Sequence, residues 1–309
     1  MARRRNRGRD ISGVLLLNKP AGMSSNSALQ IAKRLYGASK AGHTGSLDPL
    51  ATGMLPICFG EATKFSQFLL DADKSYRVTA KLGINTNTSD ADGEVIKTRP
   101  FVSSAEEVEA ALMSFVGANT QIPSMFSAIK HQGQPLYKLA RQGIEIERKT
   151  RHVTLYALRW LELRGDELDF EVDCSKGTYV RSLVEDLGEK LGCGGHVQAL
   201  HRISAGAYPT DQMRTVDALN ALQEAGGTEA LDAVLLPTYS SVEDWPRVEL
   251  GDEATFYLLR GQSVMATDRP SEGGVTLFRA SDKAFLGVGQ VTDDGMIAPR
   301  RLIVTGDDA

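Results

Sequence analysis

The chain has 309 residues, of which 42% are hydrophobic and 24% are charged. This length predicts two domains, and this composition excludes a disordered or a fibrous protein. Three widely separated cysteines exclude a disulfide framework and favour a reducing compartment, for which we expect the cytoplasm. Nowhere do 18 apolar residues follow one another, so we expect no segment that spans a membrane.

Positive charge is concentrated in two parts of the chain. The net charge is −4, but residues 1–60 carry nine Lys or Arg against two acids, which gives this stretch +7 and the remainder −11. The arm 1–9 holds five of these cations and is either a solvated tail or a phosphate-binding arm. A second basic cluster lies at 130–151. Both clusters are compatible with a polyanionic partner.

Periodicity and capping residues predict the elements of the first third of the chain. Ser24 precedes a run in which apolar residues recur with helical spacing, and Ser104 forms a capping box with Glu107. Ser24 and Ser104 are therefore each predicted to begin a helix. A segment that is rich in Gly, Pro, Thr and Ser and yet apolar indicates an ordered loop through the core. In chain order we expect a helix over 24–37, that loop over 38–60, a short helix over 62–69, a strand over 76–82 and a helix over 104–117.

The middle of the chain combines a long irregular stretch with a hairpin. Residues 118–150 show no regular pattern beyond a short helix near 135–142, and so long an irregular segment is usually functional. Arg164-Gly165-Asp166 separates two strand-like runs and predicts a hairpin turn. The expected elements are strands over 153–162 and 167–174, a helix over 178–191 and a strand over 196–204.

The last third predicts a small second domain. Residues 216–250 turn acidic and are then broken by Pro237 and Pro246, which is typical of a linker. A short helix over 254–260 follows. Strand-like runs separated by Gly and Asp turns then predict a β-rich domain of about sixty residues, near the lower size limit for independent folding. These runs cover 263–267, 274–279, 285–291 and 296–304.

Residues 42–53 form the densest cluster of residues that are capable of chemistry. The glycines there permit tight turns and the close approach of a large ligand. Asp48 lies between Leu47 and Pro49, and residue statistics alone favour a turn-forming role for an Asp before a Pro. An apolar loop does not host a carboxylate without a partner cation, however, and Arg181 is the candidate partner.

Sequence motifs for several other chemistries are missing. The five histidines are scattered, and His196 and His201 have no third ligand nearby, so we expect no metal site. Glycine motifs for phosphate loops or dinucleotides do not occur, and no G-x-S-x-G elbow supports a serine hydrolase. Cys58 and Cys174 are interpreted as core thiols.

Three segments together resemble the sequence motifs of the TruB family, the bacterial tRNA pseudouridine-55 synthases. These segments are DISGVLLLNKPAGMSS at 10–25, GHTGSLDPLATG at 42–53 and SKGTYVR at 175–181. They have the family's order and spacing, and the similarity extends through 90–93 and 285–289 over nearly the whole chain. Two places depart from the pattern: Asn18 stands where Asp is usual, and Ser124-Met125-Phe126 replaces Pro-x-Tyr.

The resemblance implies an α+β pseudouridine-synthase fold with a largely antiparallel central sheet. It places a catalytic domain at 1–240, and within it a loop region at about 120–150 that folds over RNA. It also implies that 248–309 is a small β-rich pseudo-barrel similar to a PUA domain, which is an RNA-binding module.

The activity that the resemblance implies is the isomerisation of uridine 55 in the TΨC loop of tRNA to pseudouridine. Such an enzyme breaks the N1–C1′ glycosidic bond, rotates the detached base and rejoins it through C5. No cofactor and no metal are implied. We expect a cytoplasmic monomer whose partner is tRNA, bound at the TΨC stem-loop and towards the acceptor arm, and an accessory role in tRNA folding is compatible with the scaffold.

On the family's pattern Asp48 is the catalytic aspartate. Attack at the sugar, addition to the base and abstraction of a 2′ proton all remain open, and each needs an ionised carboxylate, whose pKa Arg181 would hold down by charge pairing. Tyr76 is expected to stack on the target uracil, and Tyr179 and Leu200 to complete the pocket wall. Each of these three would also pass as an ordinary core residue.

The target base can reach such a pocket only if it leaves the folded RNA loop, so base flipping is implied. His43 is the candidate to fill the vacated space, although a histidine between Gly and Thr could equally be a turn residue. The candidate contacts to RNA phosphates are Lys19, Lys64, Lys130 and Arg141.

Two other functions remain open on the sequence. An RNA-binding or RNA-folding protein without turnover could use the same scaffold, but it would need no buried acid. A glycosidase would need a second carboxylate paired with Asp48, for which Asp90 and Asp92 are the nearby candidates. An intact Asp48, Tyr76 and Arg181 favour the synthase.

Overall fold

Residues 8–303 are described by this computed structural model, so all but the end of the basic arm 1–9 lies outside the described residues. The described residues form sixteen strands and seven α-helices. The strands are β1 (Gly13–Lys19), β2 (Ala41–His43), β3 (Thr52–Phe59), β4 (Lys74–Leu82), β5 (Ile84–Thr86), β6 (Val95–Thr98), β7 (Gly117–Gln121), β8 (Lys130–His131), β9 (Gln134–Pro135), β10 (Arg151–Arg164), β11 (Glu167–Cys174), β12 (Gly195–Ala205), β13 (Arg247–Leu250), β14 (Gly273–Arg279), β15 (Phe285–Val291) and β16 (Ile297–Leu302). The helices are α1 (Ser25–Leu35), α2 (Ser66–Asp71), α3 (Ala105–Met113), α4 (Leu136–Ala140), α5 (Val180–Lys190), α6 (Val216–Asp232) and α7 (Asp252–Leu258).

Eight strands form the larger sheet in the order β1-β3-β12-β4-β11-β10-β7, with β2 added on β3. All of these pairings are antiparallel except a short parallel contact of β12 with β3, where His201 pairs with Thr52. The predicted hairpin joins β10 to β11 through Gly165, which has a positive φ of 60°. The α+β class and the largely antiparallel sheet are therefore confirmed.

The predicted helices begin at the capping residues that the sequence indicates. The Ser24 hydroxyl accepts a hydrogen bond from the backbone N–H of Ser27 at the start of α1. Ser104 and Glu107 form both hydrogen bonds of the capping box at the start of α3. Helices α1, α3, α5 and α6 bury apolar side chains in one cluster with the inward side chains of β4. That cluster is the main core, and the sites described below lie at its edge.

The expectation of one ordered loop over 38–60 is wrong, because only residues 44–51 form a loop. The segments on either side are β2 and β3, and β3 lies between β1 and β12. Seven of the eight residues of β3 are buried, so its sequence is a nearly continuous apolar run and shows no alternation. Such a run cannot be assigned to a strand by its periodicity.

The irregular region 118–150 contains more regular structure than its sequence predicts. Strand β7 pairs with β10 at the edge of the large sheet, although its sequence, Gly-Ala-Asn-Thr-Gln, shows no apolar alternation. It is a strand because β10 offers unpaired backbone groups, a tertiary effect that overrides local preference. The short helix predicted near 135–142 is α4, which buries Leu136 and Leu139.

The predicted linker over 216–250 is also wrong. It contains α6, interrupted at Gly226 and Gly227, then a 3-10 helix at Thr238–Val242 and strand β13. Leu236 exchanges two backbone hydrogen bonds with Val14 of β1, so this stretch is packed on the large sheet. Its polar and proline-rich composition reflects a surface position, which composition alone does not distinguish from a linker.

The smaller sheet has four strands in the order β13-β14-β15-β16 and its own apolar cluster. The strand predicted at 263–267 is absent from the described residues, apart from a single bridge of Val264 to Ile297. The two sheets meet through an aromatic cluster in which Phe65 is fully buried against Val242 and Val288. This cluster fixes the small sheet against Phe65, which directly follows the 3-10 helix Gly60–Lys64 at the end of β3.

Replacement of Phe65 by alanine should lower the free energy of unfolding by about 3–5 kcal/mol, because a fully buried aromatic ring is removed from this contact. The matched control is Phe256→Ala, since the ring of Phe256 is half exposed and should contribute no more than about 1 kcal/mol. Urea denaturation, monitored by fluorescence, measures the free energy of unfolding of both variants. If Phe65→Ala lowered the free energy of unfolding by as little as Phe256→Ala, the aromatic cluster would not stabilise the fold.

Candidate active site

Asp48 lies in the loop between β2 and β3, and three neighbouring contacts hold this loop in place. The Ser25 hydroxyl bonds both the N–H and the carbonyl of Leu47, at 2.7 and 3.0 Å. The carbonyl of Pro49 accepts a hydrogen bond from Gly22. At the end of the loop Gly53 has a φ of 98°, and a Cβ atom there would lie 2.3 Å from the carbonyl oxygen of Arg202. Only glycine permits that close approach.

Arg181, in the first turn of α5, holds the Asp48 carboxylate with an ion-pair contact and one hydrogen bond. The distance from Nε to Oδ2 is 2.9 Å and that from Nη2 to Oδ1 is 3.2 Å. The guanidinium also donates to the carbonyls of Thr88 and Phe126, each at 2.9 Å, and Nη1 lies 3.6 Å from Oδ2 of Asp90. The Arg181 side chain is 4% exposed, whereas that of Asp48 is 35% exposed. The carboxylate is thus held by a buried guanidinium on one side and remains accessible to solvent on the other.

The expected effect of Arg181 on the pKa of Asp48 is outweighed. Burial raises the pKa of Asp48 above the ordinary 3.8; Arg181 and Lys19 oppose this shift, while the negative charges of Asp90 and Asp92 add to it. Arg181 thus lowers the pKa as expected, but the net shift is upward, because burial outweighs the ion pair and the sequence does not show how much water the fold removes. The group is a more basic carboxylate than an exposed aspartate.

One cavity of about 320 Å³ brings together residues that are far apart in the chain. We call it the inner cavity; the predicted residues that line it are Asp48, Tyr76, Tyr179, Arg181 and Leu200. Tyr76 lies on β4 and Leu200 on β12, which are neighbouring strands, and Tyr179 immediately precedes α5. The residues are assembled as predicted, and their individual roles stay predictions.

A wider cleft of about 910 Å³ shares Asp48 and Arg181 with the inner cavity. This outer cleft is also lined by His43 and Arg141. Burial and the charge of Arg202 lower the pKa of His43, so its imidazole is the neutral form near pH 7. The structure thus places the predicted His43 and Arg141 in the same cleft as Asp48.

The prediction that Lys19 contacts phosphates is wrong. Its side chain is fully buried, and its ammonium donates to the backbone carbonyls of Pro20, Met23 and Pro49. Burial lowers the pKa of Lys19 to about 8. These three hydrogen bonds use all the donors of the ammonium. Lys19 is a structural cation beneath the loop that carries Asp48.

Lys64 and Lys130 do not line the inner cavity or the outer cleft. Lys64 donates to Glu61 and to the carbonyl of Leu302, so it ties the 3-10 helix Gly60–Lys64, which follows β3, to β16 of the small sheet. Because the Lys64 ammonium already has these two protein partners, the structure does not favour a role for it in phosphate binding. Lys130 is exposed on β8, and its contact with RNA stays a prediction.

Sequence reasoning missed Arg202 and Lys74, which line the inner cavity. Arg202 is 1% exposed and donates to the carbonyls of Met54 and Gly45, on either side of Asp48 in sequence. Lys74 donates to carbonyls at the end of α2, and burial together with the charge of Arg202 lowers its pKa to about 8. Lys74 is two residues from Tyr76, on the same face of its strand. That spacing is the signal that could have found it.

The part of the chain that the structure describes, residues 8–303, has neither a metal-binding cluster nor a helix that could span a membrane. No group of three His, Cys, Asp or Glu side chains there is arranged to hold a metal ion. No helix there is long and apolar enough to cross a membrane. The three cysteines are free and buried.

Family models match nearly the whole described chain. Residues 33–180 match the N-terminal domain of the TruB family pseudouridylate synthases, residues 181–243 match the C-terminal domain of tRNA pseudouridylate synthase B, and residues 246–303 match the C-terminal region of pseudouridine synthase II TruB. The chain belongs to the TruB family. Asp48, Tyr76 and Tyr179 lie within the first of these matches, and Arg181 begins the second.

Curated relatives of this TruB-family chain are similar over their full length. A tRNA pseudouridine synthase B of Serratia proteamaculans is 54% identical over 310 residues, which cover 98% of this chain and 99% of that protein. One of Vibrio parahaemolyticus is 54% identical over 314 residues and covers 100% of both chains.

Among solved structures, that of a Cbf5-Nop10-Gar1 complex is 25% identical with a TM-score of 0.72, and the match covers 96% of this chain and 86% of that one. The structure of an H/ACA RNP bound to a substrate RNA that contains 2′-deoxyuridine gives a TM-score of 0.72 at 22% identity, over 99% and 92% of the two chains. These likenesses agree with the fold of the TruB-family chain.

Substitution of Asp92 by asparagine should lower the pKa of Asp48, because it removes a nearby negative charge that disfavours the ionised form. A pH titration of carboxyl-¹³C NMR signals measures this pKa, and loss of the signal in Asp48→Asn assigns it. The control Glu94→Gln removes an acid that also lines the outer cleft but is not among the charges that act on Asp48, so the pKa should stay unchanged. An unchanged or higher pKa in Asp92→Asn would contradict this account of the site.

Proposed function

We propose that this TruB-family protein isomerises uridine 55 in the TΨC loop of tRNA to pseudouridine. The observation that carries the proposal is the Asp48 carboxylate, which is paired with a buried Arg181 and opens into a cavity that Tyr76 also lines. The tRNA pseudouridine synthase B relatives, which match this chain from end to end, support tRNA as the substrate. A protein that only binds RNA has no need of such a carboxylate.

The reaction exchanges one bond for another at the same ribose. The N1–C1′ bond breaks, the uracil turns, a C5–C1′ bond forms, and the proton on C5 leaves while N1 gains one. No electrons are exchanged with a second substrate, so the reaction needs no oxidant or reductant. A cavity of about 320 Å³ is within the usual range for sites that bind small ligands.

Asp48 acts in its ionised form whether it attacks the sugar, adds to the base or takes a 2′ proton. Arg181 orients the carboxylate without closing it off, and Tyr76 offers an aromatic face on which uracil can stack. Because protonation removes the reacting form, activity is present above the raised pKa of Asp48 and is lost as the pH falls through it.

The outer cleft is the proposed path of the RNA. His43 takes the space that the flipped uridine leaves, and Arg141 contacts a phosphate. The same proposal makes residues 1–240 the catalytic domain, residues 248–309 a PUA-like RNA-binding domain that extends towards the acceptor arm, and the protein a cytoplasmic monomer with an accessory role in tRNA folding.

Asp48→Asn should greatly slow pseudouridine formation while tRNA binding persists, because the amide keeps the shape but cannot ionise. Purified protein is incubated with unmodified tRNA transcript, and pseudouridine is mapped by carbodiimide labelling and primer extension. We expect a single stop at position 55 with the native chain and a rate lower by about 10²–10⁴-fold in the variant. No stop with the native chain, together with tight binding by both proteins, would favour the RNA-binding function over the synthase.

The affinity for tRNA should fall steeply with salt, because exposed cations replace condensed counterions on the phosphates. The exposed candidates are Lys130, Lys138, Arg141, Lys149 and Arg151. Arg141→Gln should reduce the slope of log K against log salt by about one. Arg164→Gln is the control, since Arg164 is paired with Glu162 and Asp169 at the far end of β10. A flat salt dependence of the native chain would refute electrostatic recruitment.

A further inference from the structure

A buried amide links the start of the proposed RNA-binding region to the candidate active site. Gln121 is the last residue of β7 and is 3% exposed. Its side-chain Nε2 donates to the backbone carbonyl of Tyr179 at 3.2 Å, and its Oε1 accepts from the backbone N–H of Tyr179 at 3.0 Å. Both hydrogen-bonding ends of the amide are thus used on one residue.

This contact takes the place of a helix cap. Tyr179 is the residue before α5, and no side chain of its own caps that helix. The first N–H groups of a helix lack partners within the helix and need one from elsewhere. Gln121 provides a partner at the point where the chain turns from the wall of the inner cavity into the helix that carries Arg181.

Two further hydrogen bonds run between the same two stretches of chain. The Ser182 hydroxyl donates to the carbonyl of Ile122 at 3.2 Å, and Arg181 Nη2 donates to the carbonyl of Phe126 at 2.9 Å. The contact thus joins residues 121–126 to the first turn of α5. Arg181 Nη2, which donates to Phe126, is also the nitrogen that donates to Asp48.

A cavity of about 610 Å³ lies next to this junction. Ile122 and Ser182 of the junction line it, together with Ile144 and Arg148 further along the chain and Glu185 of α5. The hydrogen bonds at 121–126 are therefore a defined connection between two stretches of chain that open space otherwise separates.

We propose that Gln121 is a positioning residue for the isomerisation, acting through Tyr179 and Arg181. The amide fixes the N-terminal end of α5, and with it the direction from which Arg181 holds Asp48. This inference rests on the proposed function, which it extends to a residue outside the inner cavity.

Gln121→Met tests the proposal, because methionine has a similar length but cannot form either hydrogen bond. A misplacement of about 1 Å can cost about 10²-fold in rate, so we expect a single-turnover rate of pseudouridine formation lower by about 10–10²-fold at saturating tRNA. The dissociation constant for tRNA should change by less than about threefold. Gln212→Met, at an exposed glutamine outside residues 120–150 and outside both the inner cavity and the outer cleft, should match the native chain.

A second readout does not depend on turnover. Because Arg181 lowers the pKa of Asp48, a loosened Arg181 should let that pKa rise in Gln121→Met, as measured by the carboxyl-¹³C titration. If the native chain makes no pseudouridine, the proposed function fails, and this titration still tests the positioning. An unchanged Asp48 pKa together with a native rate would overturn the role of Gln121.

Ser182→Ala guards against a variant that fails to fold. It removes only the hydrogen bond to Ile122 and leaves the Gln121 amide in place. We expect a smaller fall in the single-turnover rate in the same direction, with unchanged tRNA affinity. A weaker affinity at a native rate in both variants would assign the junction to RNA binding and would overturn the proposal.

Discussion

The ion pair of Arg181 with Asp48 is the interaction on which the rest of the site depends. A guanidinium that is 4% exposed has lost its water and must find a partner for each of its five N–H groups. Asp48 takes two, the carbonyls of Thr88 and Phe126 take one each, and the fifth faces Asp90 at 3.6 Å. The cost of burying the cation is thereby offset by groups from three parts of the chain, and this requirement explains why they meet here.

The loop that carries Asp48 is held by cations that never touch the carboxylate. Lys19 binds the carbonyl of Pro49, just after Asp48, and Arg202 binds that of Gly45, just before it. Buried cations next to backbone carbonyls satisfy polar groups that a tight loop cannot pair within itself. Their mutual repulsion is visible in the pKa of Lys19, which burial lowers and the charge of Arg202 lowers further. The loop is thus held in place in part because two of its backbone carbonyls accept hydrogen bonds from buried cations.

How much of this follows from sequence differs between elements. Strand β4 and helix α3 were predictable because alternation and a capping box are local signals. Strand β7 and the burial of Lys19 were not, since an edge partner and the loss of water are properties of the assembled fold. The meeting of Asp48 with Arg181 was predicted from the need of an apolar loop for a cation and from the family resemblance. Gln121 carries no local signal, because a glutamine that ends an irregular strand looks like any surface residue.

The proposed RNA binding and the proposed chemistry use different cations in this fold. The exposed ones, such as Lys138 and Arg141, lie on the region 122–150, whereas those around Asp48 are buried and already paired with protein groups. Dissolved salt weakens the attraction between exposed charges and the phosphates, but it has little effect on the buried ion pair. RNA can therefore be recruited by a surface that changes its contacts, while the ion pair keeps its geometry. The hydrogen bonds of Gln121 join these two systems at one point, so that the first can move without displacing the second.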